Sequence, residues 1–200
     1  VDPIRRVLMK HPREAYQNQN FLNDKSPQLN YYGIPNFDKA IAHYESFAEL
    51  ITSFGAEIHF LPIDGSTSLD SVYTHDPCVI TNGGGILCNM GKEGRLSEPD
   101  AVKDYFESID IPILGEIEAP GTLEGGDIVW LNERIAAVGE GYRSNAEGIR
   151  QFKALLGNLV DEVISVPLPH WTGPGDCLHL MSNISPIDHD LYLVYSRLLP

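Results

Sequence analysis

The chain has 200 residues, with 28 acids against 14 Lys plus Arg, a formal net charge of −14 and 42% hydrophobic residues. That length suits a single globular domain with a sizeable core, and the acidity argues against nucleic acid or an anionic membrane as a partner. No run approaches the roughly 18 apolar residues of a membrane span and the first residues carry no signal-peptide core, so a cytoplasmic protein is expected. Cys78, Cys88 and Cys177 are an odd number without C-x-x-C spacing, which suggests buried free thiols rather than a disulfide framework or a zinc site.

In chain order, residues 7–9 read as a strand, followed by a long loop, a helix over 37–54 with Ile41, Tyr44, Ala48 and Ile51 at helical spacing, and a strand over 58–61. Residues 78–81 and 85–88 flank Asn82-Gly83-Gly84 and predict a hairpin, then a helix over 98–108 and a strand over 111–114. A third set follows the stretch "GTLEGGDIVW" (121–130): strands at 128–131 and 134–138, a helix at 145–156 and a strand at 162–166. Residues 177–184 and 191–195 supply a last hairpin without its helix. A recurring unit of roughly 45–55 residues implies a cyclic or stacked array, and because the chain stops at Pro200 in mid-unit, a fragment is expected.

Equivalent positions of these units carry chemistry. Asp76 and Asp127 stand at the entrances of two hairpins, and His179 stands in the third. Around a common axis they would point at one place. Taken singly, Asp76 before Pro77 reads equally as a turn cap, and His179 as a satisfied core histidine. Gly125 and Gly126 lack a Cβ and would let neighbouring acids line a cavity, though a solvated turn has the same composition. Arg95 precedes Ser97, and Arg143 precedes the capping-box pattern Ser144-Asn145-Ala146-Glu147, so both serines are expected to cap helices. Two forked guanidiniums beside helix starts suit the carboxylate of an amino acid; exposed loop arginines are the plainer reading.

The segments "THDPCVITNGGGILCNMGKEGRLSE", "EAPGTLEGGDIVW", "YRSNAEGIRQF" and "CLHLMS", in this order, resemble the dimethylarginine dimethylaminohydrolases and the wider amidinotransferase superfamily of guanidine-modifying enzymes. The resemblance implies the pentein fold, an α/β propeller of ββαβ units around a pseudo-fivefold axis, here a single domain over 1–200 that is incomplete at its C-terminus. It implies a cysteine that attacks the guanidinium carbon, His179 as acid/base, and Glu124 and Asp76 as acids on the guanidinium. Arg95 and Arg143 would hold the α-carboxylate, Asp70 would be a further substrate-binding residue, and Asp127 would support its turn. No metal or cofactor is implied. The partner is a small guanidino amino acid, with no nucleic acid or membrane, and a homodimer is among the expectations.

Three departures stand out. The family's nucleophile lies beyond Pro200, His75 replaces an acid beside Asp76, and Leu96 follows Arg95 where some members carry a second arginine. Without that cysteine these 200 residues are expected to be inactive alone. Cys177 is an internal candidate, but it would share a strand face with His179 and leave no room for substrate between them. The expected activity is hydrolysis to citrulline and an amine. The alternatives are transfer of the amidino group to an acceptor amine and a non-catalytic pentein that only binds.

Overall fold

The computed structural model describes residues 3–170, 173 and 179–200, and the chain divides into two compact units after Thr74. In the first unit β1 (Arg6–Met9) pairs in parallel with β2 (Glu57–Phe60), Val7 lying opposite Ile58. Parallel neighbours need a crossover. Part of it is the long helix α3 (Phe37–Ser53), capped by Asn36, whose side chain accepts from Lys39 N–H. The preceding segment, expected as a loop, folds into α1 (Pro12–Tyr16) and α2 (Gln19–Lys25). Pro12 opens α1, and Asn18 caps α2 by accepting from Phe21 N–H. Helices of five and seven residues are too short to show a hydrophobic period, and packing of Ala15, Tyr16 and Leu22 with Leu69 holds them.

The second unit contains the repeat. β3 (Cys78–Thr81) and β4 (Gly84–Leu87) form an antiparallel hairpin, α4 (Glu98–Ser108) crosses over, and β5 (Ile113–Glu116) returns parallel to β4. β6 (Ile128–Asn132), β7 (Ile135–Glu140), α5 (Ala146–Leu156) and β8 (Glu162–Pro167) repeat the same ββαβ order. A further antiparallel hairpin joins β9 (Ile184–Asp188) to β10 (Leu191–Val194). The strand expected over 177–184 is different where it is described: Leu180–Ser182 is one 3-10 turn, and His179 stands just before it in extended conformation. Residues 177 and 178 lie outside the described residues.

Strand alternation feeds two cores from one sheet. Ile128, Ala136 and Val138 pack on one face with Phe152 and Leu156 of α5, while Val129 and Ala137 pack on the other with Leu168 and Leu180. The turn after His179 is thereby pinned to the back of the β6–β7 hairpin.

Helix α5 sets the loop that leads into "LEGGD". Its cap is Asn145 and not the expected Ser144: the Asn145 side chain accepts from Gly148 N–H at 2.8 Å and from Thr122 N–H at 3.1 Å. Ser144 is drawn inward instead, its hydroxyl donating to Asp127. Ser97 occupies the cap position of α4 but makes no side-chain cap bond. The docking of α5 is close enough that a Cβ on Gly148 would stand 1.9 Å from Thr122 O. Gly148→Ala should therefore lower stability by about 1–3 kcal/mol in urea unfolding, although helix propensity alone favours alanine by about 1 kcal/mol. A stabilised variant would show that the Thr122 loop yields.

Candidate active site

Residues 121–124 run beside 89–92, with Leu123 N–H donating to Asn89 O at 2.9 Å and the Asn89 amide to Gly121 O at 2.6 Å. This pairing carries Glu124, which is 0% exposed, onto two backbone donors: its Oε1 accepts from Gly91 N–H at 2.9 Å and Lys92 N–H at 3.2 Å. Its Oε2 accepts from Arg143 Nη1 at 2.9 Å. The N–H of Glu124 donates to Ser144 Oγ at 3.1 Å.

The next three residues, Gly125–Asp127, turn sharply into β6. Gly125 N–H donates to Asp76 O at 2.8 Å and Gly126 N–H to Asp76 Oδ1 at 2.9 Å. A Cβ on Gly126 would lie 2.8 Å from both Asp76 Oδ1 and His179 Cγ, so glycine is what lets the acid and the histidine approach this turn. Asp127 is buried, with Oδ2 accepting from Ser144 Oγ at 2.6 Å and Oδ1 from Leu180 N–H at 3.1 Å. The same Oδ1 is 3.2 Å from His179 Nδ1. On the other side of the ring, Nε2 is 3.4 Å from Glu124 Oε2 and 4.0 Å from Asp76 Oδ1.

The second arginine stands behind Asp76. Arg95 Nη1 donates to Asp76 Oδ2 at 2.6 Å, and its Nη2 and Nε reach Glu98 at 2.7 and 3.0 Å. The environments of Glu124 and Asp76 differ. Burial pushes Glu124 up from its ordinary value, against the pull of Arg143 and then His179. Burial acts on Asp76 in the same sense, but Arg95 and His179 outweigh it and hold the carboxyl below its ordinary value.

Of the residues singled out in the sequence, Asp76, Glu124, His179, Arg95 and Arg143 come together here. Asp70 belongs to the first unit, buried in the short turn Leu69–Val72, where its N–H donates to Ser68 Oγ at 3.3 Å. Cys177 lies outside the described residues. Cys78 and Cys88 are free and buried, and burial pushes the Cys78 thiol up to about 12 and Cys88 upward as well, which disqualifies both as thiolates near neutral pH. Sequence reasoning missed two contacts, Ser144 on Asp127 and Glu98 on Arg95, whereas the approach of Asp127 to His179 follows from their register. The i, i+3 spacing of Arg95 and Glu98 was the available signal for the second. Asp76, Glu124 and His179 each offer a ligand atom within 4.8 Å of the others, a geometry that could hold a metal ion. The two carboxylates among them are each already bonded to an arginine, Asp76 to Arg95 and Glu124 to Arg143.

Two ββαβ sheets and a third hairpin, with buried acids and a histidine converging at the hairpin entrances, make the pentein arrangement anticipated from the sequence. A model of the arginine deiminase family matches residues 68–200, and the chain belongs to that family. It is 32% identical over 124 residues to the N(G),N(G)-dimethylarginine dimethylaminohydrolase of Pseudomonas aeruginosa, an alignment that takes in 62% of this chain and 48% of that protein. It is 28% identical over 149 residues to the Streptomyces coelicolor protein of the same name, with 74% and 54% covered. The chain thus spans about half the length of the curated relatives it matches. Among solved structures, it superposes on a Pseudomonas aeruginosa dimethylarginine dimethylaminohydrolase mutant complexed with citrulline, with a TM-score of 0.77, 26% identity, and 96% of this chain and 69% of that one covered. The N-terminal domain of a cyanobacterial arginine dihydrolase gives the same TM-score of 0.77 at 20% identity, with 98% and 68% covered, a likeness of fold. No described helix is long and apolar enough to cross a membrane.

The Asp76–Arg95 pair carries a pH signature. Because the folded-state carboxyl titrates below the ordinary 3.8, the unfolded chain takes up its proton first as pH falls. The stabilisation is complete above the unfolded value and is lost as pH drops through the lower folded one. Asp76→Asn should thus destabilise by about 2 kcal/mol near pH 7 and by progressively less below about pH 4, read from urea unfolding across pH. An equal loss at both ends would remove the ion pair from the account.

Proposed function

We propose that the full protein hydrolyses the guanidino group of an arginine-like amino acid, dimethylarginine or arginine, to citrulline and an amine through a cysteine-bound thiouronium. The observation that carries this reading is the convergence of two buried carboxylates, Asp76 and Glu124, on Nε2 of His179. A planar guanidinium presents N–H groups in a fork that such a pair of acids can fix in one plane. Membership of the arginine deiminase family, the likeness to dimethylarginine dimethylaminohydrolases and the citrulline held by one of them support it.

In the proposed reaction a thiolate forms a bond to the guanidinium carbon, the carbon–nitrogen bond to the departing amine breaks, and His179 gives that nitrogen a proton. His179 then takes a proton from water, whose oxygen attacks the thiouronium carbon and releases the ureido product and the thiol. Cys78 and Cys88 do not supply the thiolate. Arg143, whose side chain is 14% exposed, is the stronger candidate for the substrate carboxylate, and Arg95, at 3%, is better placed to hold Asp76. Asp70 remains a substrate-binding proposal. A cytoplasmic setting belongs to the same reading and is in keeping with buried free thiols.

The test is a colorimetric assay for ureido product from dimethylarginine and arginine with full-length protein, without any acceptor amine. Ureido product in that mixture supports hydrolysis; no ureido product, with ornithine and the guanidino derivative of glycine formed once glycine is added, would replace it with amidino transfer. Glu124→Gln should keep the fold and lower kcat/KM by at least about 100-fold, because a charged contact to the guanidinium becomes a neutral one in a dry site. A nearly wild-type Glu124→Gln would move the substrate away from this acid. Turnover should also persist in excess chelator, since the proposed reaction relies on a thiolate rather than on metal-bound water. Loss on chelation with recovery on adding metal would instead assign the Asp76, Glu124 and His179 cluster to an ion.

A further inference from the structure

The imidazole of His179 has acids on both of its nitrogens, and they are held differently. Glu124 and Asp76 face Nε2, at 3.4 and 4.0 Å, and their other contacts are to Arg143, Arg95 and backbone N–H groups. Asp127 alone of the three lies beside Nδ1, its Oδ1 3.2 Å away though out of line for a hydrogen bond from that buried nitrogen, and it makes no ion pair to an arginine among the described residues. Its carboxylate is fixed by two neutral donors, the Leu180 N–H, which follows His179 directly in the chain, and the Ser144 hydroxyl. The Ser144 hydroxyl has a defined direction. Its oxygen already accepts from the N–H of Glu124, so its proton is left for Asp127 Oδ2.

We propose that Asp127 is a positioning residue: a small rotation of the ring brings Nδ1–H of His179 onto its carboxylate, which accepts that hydrogen bond, locks the ring in one tautomer and presents Nε2 to the reacting centre, with Ser144 setting the carboxylate. A consequence follows for the resting site. With Nδ1–H spent on Asp127, Nε2 and Glu124 Oε2 would meet lone pair to lone pair at 3.4 Å unless one proton lies between them. The empty site therefore stores a proton on the Nε2–Glu124 pair. In the hydrolase reading, on which this kinetic consequence alone rests, an arriving guanidinium takes over Glu124, and the proton is on Nε2 where the departing amine needs it. This extends the role of Asp127 beyond supporting its own turn.

Ring-nitrogen NMR of the 15N-histidine-labelled protein tests the assignment without any turnover, His179→Gln identifying the signal. Above its titration midpoint, His179 should show the proton on Nδ1 and a pyridine-type Nε2. The opposite tautomer would overturn the proposal in the wild-type protein, whatever the variants do. Asp127→Asn should move the midpoint down by about one unit or more, since a facing charge is lost, and Ser144→Ala should move it the same way by less. An unmoved midpoint in folded Asp127→Asn would also sink it. In full-length enzyme Asp127→Asn should lower kcat about 100-fold with KM within about threefold, a split that general loss of folding would not give. If the full-length protein forms no ureido product while the Nδ1–H tautomer is found, the hydrolase reading fails and the positioning role stands; the reverse pair of results removes the role and leaves the reaction.

Discussion

A buried carboxylate persists only where its charge is answered, and this constraint organises the second unit. Glu124, Asp76, Asp127 and Glu98 are all buried. In water each would be stable alone; in the interior each needs donors or a cation. The chain supplies Arg143 to the first, Arg95 to the second and fourth, and a hydroxyl with a backbone N–H to the third. Once those partners are fixed, the loops that carry them have little freedom. The 89–92 and 121–124 segments must run side by side for Gly91 and Lys92 to reach Glu124, and α5 must dock on Thr122 for Arg143 and Ser144 to arrive beside them.

The same pairing separates the two acids chemically. Asp76 has an arginine at 2.6 Å and a backbone donor on its other oxygen, which together overcome desolvation and keep it ionised. Glu124 is more deeply enclosed, and its carboxyl is pushed up in spite of Arg143. Two acids beside one histidine thus differ in their affinity for a proton, and such a difference is what lets neighbouring carboxyls take different parts in acid–base chemistry. The arginines in this picture tune the acids as much as they could bind a ligand.

The sheets make this possible at small cost in surface. Because β6 and β7 are packed on both faces, the residues at their entrance inherit a rigid frame on either side: α5 with Phe152 in front, Leu168 and Leu180 behind. Asp127 joins the two by accepting from Leu180 N–H and Ser144. The histidine is therefore placed by the same packing that closes the core, and its acids by the turn that enters it.

By itself the sequence determined the repeat, most of its elements and the residue types of the site. Short apolar runs around Asn82-Gly83 and helical spacing in 98–108 and 145–156 are local signals, and β3, α4 and α5 lie where those signals put them. The register of Asp76, Asp127 and His179 was legible because equivalent units carry equivalent positions, and the three do meet. What local pattern could not decide was partnership. Ser144 reads as a cap from its neighbours, yet Asn145 takes that place because Thr122, more than twenty residues earlier, offers it a second bond. Arg95 reads as a loop arginine free for a ligand, yet folding gives it Asp76 and Glu98. Helices α1 and α2 left no periodic trace, since side chains far along the chain hold them. Spacing along a chain reveals which faces can be buried; which buried charge meets which donor is settled only when distant segments are brought within hydrogen-bonding distance.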